Sequence, residues 1–180
     1  MSDIMDNTLR MANFPRHINL VNALVIEIGE LFKRKELYPL TENAALVIWN
    51  KKYSGDERFV LPQEVEHNIE IIDALDYIQP DFLFFKKNKF VQNKNTLKTA
   101  GVPDLVIEIW SISNTREEKE MKFRIYSSSN DPICEHWYIE QDNNRVSRWY
   151  GTKQLEDDSL NNILITKDGI EFDLRYLALD

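Results

Sequence analysis

Gly101-Val-Pro-Asp-Leu-Val-Ile-Glu-Ile-Trp-Ser111 is the strongest strand signal in this chain. Leu105, Val106, Ile107 and Ile109 form a nearly continuous apolar run, the pattern of a strand covered on both faces. Side chains alternate along a strand, so Asp104, Val106, Glu108 and Trp110 share one face. Glu108 therefore sits in the middle of an apolar strand, where water reaches it poorly. Burying an ionised carboxylate is costly unless a partner or a metal compensates.

Downstream, Asn114 or Thr115 caps a helix that runs to about Ser127. Glu117 and Glu118 follow the two caps at capping-box spacing. On the helical wheel Lys122 falls between Ile125 and Tyr126, on the side that also holds Met121. Arg116, Glu117, Glu120 and Arg124 point away. A lysine on a packed face calls for a carboxylate partner, and it can also orient a water or offset charge at a phosphate. The spacing then predicts a strand over Glu135–Glu140, a turn at Asp142–Asn144, and a hairpin partner over Arg145–Tyr150. The tail, Ile163 to Leu179, reads as a strand and a short final element.

Upstream, Tyr77–Phe85 reads as a strand, with Pro80 marking an edge or a bulge. Asp81 precedes Phe82, Phe84 and Phe85, so it raises the same question as Glu108. Two carboxylates on adjacent strands can hold one hard cation, and Mg²⁺ typically takes one or two carboxylates and keeps several waters. Lys86–Lys98 reads as a basic, Asn-rich loop, either solvated or in contact with DNA. Ala45–Trp49, Phe59–Leu61 and Glu66–Ile72 are shorter strand candidates. Pro15 opens a helix over Arg16–Arg34. Its apolar face carries Leu20, Leu24, Val25, Ile28, Leu31 and Phe32. His17 lies at the centre of that face and Glu27 at its edge. The order of helix, strands, helix, strands gives an α/β fold with a central mixed β-sheet flanked by helices.

Composition narrows the possibilities. The 180 residues are 43% hydrophobic and 29% charged. That suits one domain over 1–180, with residues 1–14 as a flexible or loosely packed arm. A single cysteine, Cys134, excludes an internal disulfide and a Cys-rich zinc site. A reducing cytoplasm is the expected location. No apolar run approaches the roughly 20 residues that span a bilayer. The net charge of −8 opposes non-specific binding to nucleic acid, although a carboxylate site for Mg²⁺ is itself acidic.

Four stretches together resemble the Uma2 (DUF820) family. They are Gln79-Pro-Asp-Phe-Leu-Phe-Phe85, the Gly101–Ser111 strand, Lys122-Phe-Arg-Ile-Tyr126 and His136-Trp-Tyr-Ile-Glu140. The match runs from about His17 to Tyr150, and 169–177 fits more loosely. The resemblance implies the PD-(D/E)XK, restriction-endonuclease-like fold. It makes Asp81 the strand aspartate and Glu108 the acidic residue of the E-x-K element. Trp110 stands where that element has its lysine, so Lys122 is the displaced equivalent. Ser111-Ile-Ser-Asn114 and Glu140 also depart from the family pattern.

The activity so implied is Mg²⁺-dependent hydrolysis of DNA phosphodiesters, with Mn²⁺ as a substitute. Asp81 and Glu108 would hold the metal, with the Ile109 carbonyl assisting, and Lys122 would act on the water or the developing charge. Asp104, Glu27 and His17 are accessory candidates. Each residue also has a structural reading. Asp81 or Asp104 could cap a turn or strand, Glu108 and Lys122 could form an ion pair, and His17 could be a satisfied core histidine. Two further functions stay open: a non-catalytic binding protein on a nuclease fold, and a metal-dependent hydrolase of RNA or nucleotides. A homodimer is expected, with Arg145–Tyr150 or the C-terminal tail as the contact.

Overall fold

The computed structural model describes residues 18–27, 29, 38–41, 45–49, 58–86, 89–111, 113–128 and 134–178. Among the described residues the first element is helix α1 (18–27), followed by β1 (Tyr38–Thr41), β2 (Ala45–Trp49), β3 (Arg58–Phe59) and a one-turn helix α2 (Pro62–Val65). A 3-10 helix over Ile69–Ala74 leads to β4 (Asp76–Ile78), β5 (Phe82–Phe85), β6 (Phe90–Gln92), β7 (Lys98–Gly101) and β8 (Leu105–Trp110). Helix α3 (Arg116–Tyr126) precedes β9 (Glu135–Glu140), β10 (Arg145–Tyr150), β11 (Lys153–Gln154) and β12 (Asp158–Ser159). The hairpin β13 (Ile163–Ile165) and β14 (Glu171–Asp173) and a 3-10 turn, Arg175–Leu177, follow.

The main sheet has seven strands in the order β1-β5-β8-β9-β10-β11, with β12 also on β10. It is mixed: β5 runs antiparallel to β8, while β8 and β9 are parallel. Helices lie on both faces, which explains the nearly continuous apolar run of β8. On one face Leu20 and Leu24 of α1 pack with Phe82, Phe84, Ile107, Ile109 and Trp137. On the other face Ile125 and Tyr126 of α3 pack with Leu83, Val106 and Tyr138. A second sheet, β3-β2-β7-β6 with β4 on β2, adjoins this second layer. The β13–β14 hairpin closes the α1 face, where Phe172 meets Phe84 and Trp137 edge-on at 5.7 and 5.5 Å.

Several expectations are corrected. Tyr77–Phe85 is not one strand. β4 joins β2 in the second sheet, and β5 joins β8 in the first. Pro80 lies at the break, because a residue without an N–H cannot donate to a ladder. Glu66–Ile72 is not a strand either. Its end lies in the 3-10 helix, and of its residues only Ile72 is buried, rather than alternate ones. The Lys86–Lys98 stretch holds β6 and the start of β7, which form a hairpin. At Gly101 the φ is +149°, and a Cβ would stand 2.7 Å from the Lys89 carbonyl oxygen, so glycine is needed there.

Two predicted faces also shift. Val25 is 45% exposed and Met121 38% exposed, so neither lies on its helix's packed side. On α1 the buried set is Leu20, Val21, Ala23 and Leu24. The outer parts of the predicted first helix, and the arm over residues 1–14, lie outside the described residues. β10 offers no free edge to a partner, because β9 pairs one side and β11 and β12 the other.

Candidate active site

The site forms where β5 begins beside the middle of β8. Phe82 pairs with Ile107 and Leu83 with Val106. Continuing that register one step places Asp81 opposite Glu108, on the face toward α3. The Asp81 carboxylate is fixed in turn: its Oδ2 accepts the Ile109 backbone N–H at 2.6 Å.

Glu108 is buried at 1% exposure, yet both its oxygens are engaged. Lys122 Nζ donates to Oε2 at 2.7 Å, and the Tyr126 hydroxyl donates to Oε1. Lys122 also reaches the Gln79 carbonyl at 3.4 Å and lies 3.8 Å from Glu118 Oε1. Helix α3 delivers both groups because Lys122 and Tyr126 are one turn apart and face the same way. Its start is set by Thr115, whose Oγ1 accepts the Glu118 N–H at 3.1 Å.

Burial is the main cause that lifts the Glu108 carboxyl to about 7. The Lys122 charge opposes this, and the neighbouring Asp81 charge adds to it. Burial, and then the Glu108 charge, also push the Tyr126 hydroxyl well up, so it remains a donor. Two facing carboxylates, one of them held near neutrality by burial and by the other, are an oxygen donor set that suits a hard divalent cation. Among the described residues no group of three or more His, Cys, Asp or Glu side chains is assembled. Among the described residues, the side chains that could contribute to such a site are this pair.

The other predicted residues lie elsewhere. Asp104 shares a strand face with Glu108 but precedes it by four residues, roughly 13 Å along the strand. Its oxygens accept the Lys86 N–H at 2.7 Å and Lys89 Nζ at 2.8 Å, so it ties the β5–β6 connection to β8. Glu27 rides on α1, which packs on the opposite face of the sheet. There its charge acts on Tyr176. His17 lies outside the described residues. Three of the described lysines of the basic stretch are committed within the chain. Lys86 pairs with Asp168, Lys89 with Asp104, and Lys98 donates to the Asp73 carbonyl at 2.7 Å. The sequence alone assigns no site role to Tyr126 or to the Gln79 carbonyl. The i, i+4 spacing of Lys122 and Tyr126 was the available signal for the first.

Trp110, two residues after Glu108, stacks on Tyr138 with ring centroids 4.0 Å apart. The lysine that reaches Glu108 comes from the helix instead.

A family model, Uma2, described as "Putative restriction endonuclease", matches residues 40–179. Among solved structures, one described as "a putative nuclease belonging to DUF820" from Anabaena variabilis ATCC 29413 matches with a TM-score of 0.61 at 16% identity. The match covers 91% of this chain and 82% of that one, and it shows the fold. Comparison with curated proteins gave no match. Among the described residues, no helix is long and apolar enough to cross a membrane.

Proposed function

The chain belongs to the Uma2 family, and on that premise we propose that it is a divalent-metal-dependent endonuclease that hydrolyses DNA phosphodiesters, with Mg²⁺ as the working ion. The observation that carries this reading is the 2.7 Å contact between Lys122 and buried Glu108, on the face to which the sheet register also brings Asp81.

In this reading Asp81 and Glu108 hold the cation, with the Ile109 carbonyl as a further oxygen. A bound divalent cation polarises a phosphate and lowers the pKa of a water. The remaining work belongs to the chain. The Ile109 N–H fixes the Asp81 carboxylate. Tyr126 fixes one oxygen of Glu108, so the other is presented in a set direction. Lys122 stands beside that oxygen with a positive charge, placed to orient the attacking water or to stabilise the charge that develops on the phosphate. A cytoplasmic location and a homodimer complete the proposal. Light scattering that finds only monomer at working concentration removes the dimer.

Supercoiled plasmid incubated with Mg²⁺ or Mn²⁺ tests the reading. Nicking by the wild type that Glu108→Gln abolishes is the expected result. Wild-type protein that binds metal and DNA without nicking would instead favour a non-catalytic binding protein. Cleavage of RNA alone would move the substrate class.

A further inference from the structure

Beside the carboxylates, the α3 face of the sheet carries an open groove of about 400 Å³, lined by Trp110, Lys119, Glu120, Phe123 and Arg124. Three features of it are unusual for a plain surface depression. Its wall is aromatic: Trp110 and Phe123 are both half-buried rather than covered, and each packs against Tyr138, at 4.0 and 6.3 Å between centroids. Phe123 is further braced edge-on by Trp149 at 4.8 Å. Its lining carries two basic groups and one acid, although the chain as a whole carries −8. Lys119 and Arg124 face one acid, Glu120, and Arg116 already holds that acid at 2.6 Å. Its position is also particular. Trp110 shares a strand face with Glu108 and lies about 7 Å farther along β8, while Lys119 precedes Lys122 by one helical turn.

We propose that this groove is a subsite for single-stranded nucleic acid, in which an unpaired nucleobase stacks on Trp110 and the adjoining phosphates meet Lys119 and Arg124. The proposal rests on the nuclease reading above and deepens it by naming the substrate form. Stacking needs an exposed π-face on a rigid ring, and Tyr138 behind Trp110 supplies the rigidity. Lys119 Nζ now lies 4.8 Å from the Trp110 ring centroid. Its long flexible stem lets it leave the ring for a phosphate when a base arrives. A duplex keeps its bases stacked on one another and cannot offer one to Trp110. The groove therefore selects for unpaired strands, and its separation from Glu108 along β8 sets the base beside a cut site rather than at it.

Binding of a labelled oligothymidylate, measured by fluorescence anisotropy in chelator so that no cleavage intervenes, tests this apart from catalysis. The matching duplex is the control. The wild type is expected to bind the single strand more tightly than the duplex. Trp110→Ala is expected to weaken single-strand binding about 5- to 100-fold, and Trp110→Phe to restore much of it. Lys119→Gln should lower the salt dependence of log affinity by about one ion. No single-strand preference in the wild type, or unchanged affinity in Trp110→Ala, would overturn the subsite. Should Trp110→Ala fail to fold, an unchanged salt slope in Lys119→Gln overturns it equally. A wild type that binds the single strand but never nicks DNA with metal sinks the nuclease reading and leaves the subsite standing. Nicking with unaltered Trp110→Ala binding does the reverse.

Discussion

At the residue scale the proposed chemistry centres on Glu108. It is a carboxylate inside Leu-Val-Ile-Glu-Ile-Trp, and that context alone predicts a buried acid with a compensating partner. Lys122 was legible from the helical wheel for the same reason: a lysine between Ile125 and Tyr126 must meet an anion. The second partner, Tyr126, is not legible in the sequence, because a tyrosine on a packed helix face looks like core until its hydroxyl is located. Asp104 was open to misreading from alternation alone, which gives a face but not a distance. Replacing Lys122 by Met removes the charge beside the Glu108 oxygen. Nicking rates are expected to fall about 100-fold or more, read as initial rates at saturating metal, and a rate within a few-fold of wild type would remove Lys122 from the chemistry.

At the scale of elements, β8, α3, β9 and β10 were readable almost to the residue. Their patterns are long, and clear signals bound them: Pro103 before β8, Thr115 at the start of α3, and the Asp142–Asn144 turn between β9 and β10. The elements around Pro80 and Lys86–Lys98 were not readable. A short strand of three or four residues carries too little periodicity, and the lysines of the Lys86–Lys98 stretch look like solvent-facing loop because their partners, Asp104, Asp168 and the Asp73 carbonyl, come from distant parts of the chain. The cap of α3 gives a direct test at this scale. Thr115→Ala leaves the Glu118 N–H without its partner, and urea unfolding should show a loss of about 1 kcal/mol. Equal midpoints and slopes for the two proteins would show that the cap contributes nothing.

For the whole molecule, the mixed sheet between two helical layers was legible from the order of elements. Its division into two sheets was not, because the crossing at Gln79–Asp81 looks like continuous strand. The buried layer beneath α3 also fixes how the fold responds to acid. His136 Nε2 donates to the Gly151 carbonyl at 3.0 Å, which leaves Nδ1 to accept the Tyr138 hydroxyl at 2.8 Å. Burial pulls the His136 pKa down from 6.5 to about 4. The folded state thus takes up this proton later than the unfolded chain does as pH falls. The stability from neutral His136 is complete above about 6.5 and is lost progressively as pH drops toward 4, by about 3 kcal/mol in all. Glu135, raised mainly by burial, works in the opposite sense. The comparison is therefore between wild type and His136→Gln, melted at intervals from pH 7 to 4.5. The wild type should lose more stability over that window, and parallel curves would contradict the assignment.

Isothermal titration with Mn²⁺ tests the central claim most directly, on the wild type and on the Asp81→Asn, Glu108→Gln double variant. The paired carboxylates predict saturable binding at one site in the wild type and none in the variant. Equal binding in both proteins would place the metal elsewhere, and no binding in either would leave Asp81, Glu108 and Lys122 as a structural ion cluster on a nuclease fold.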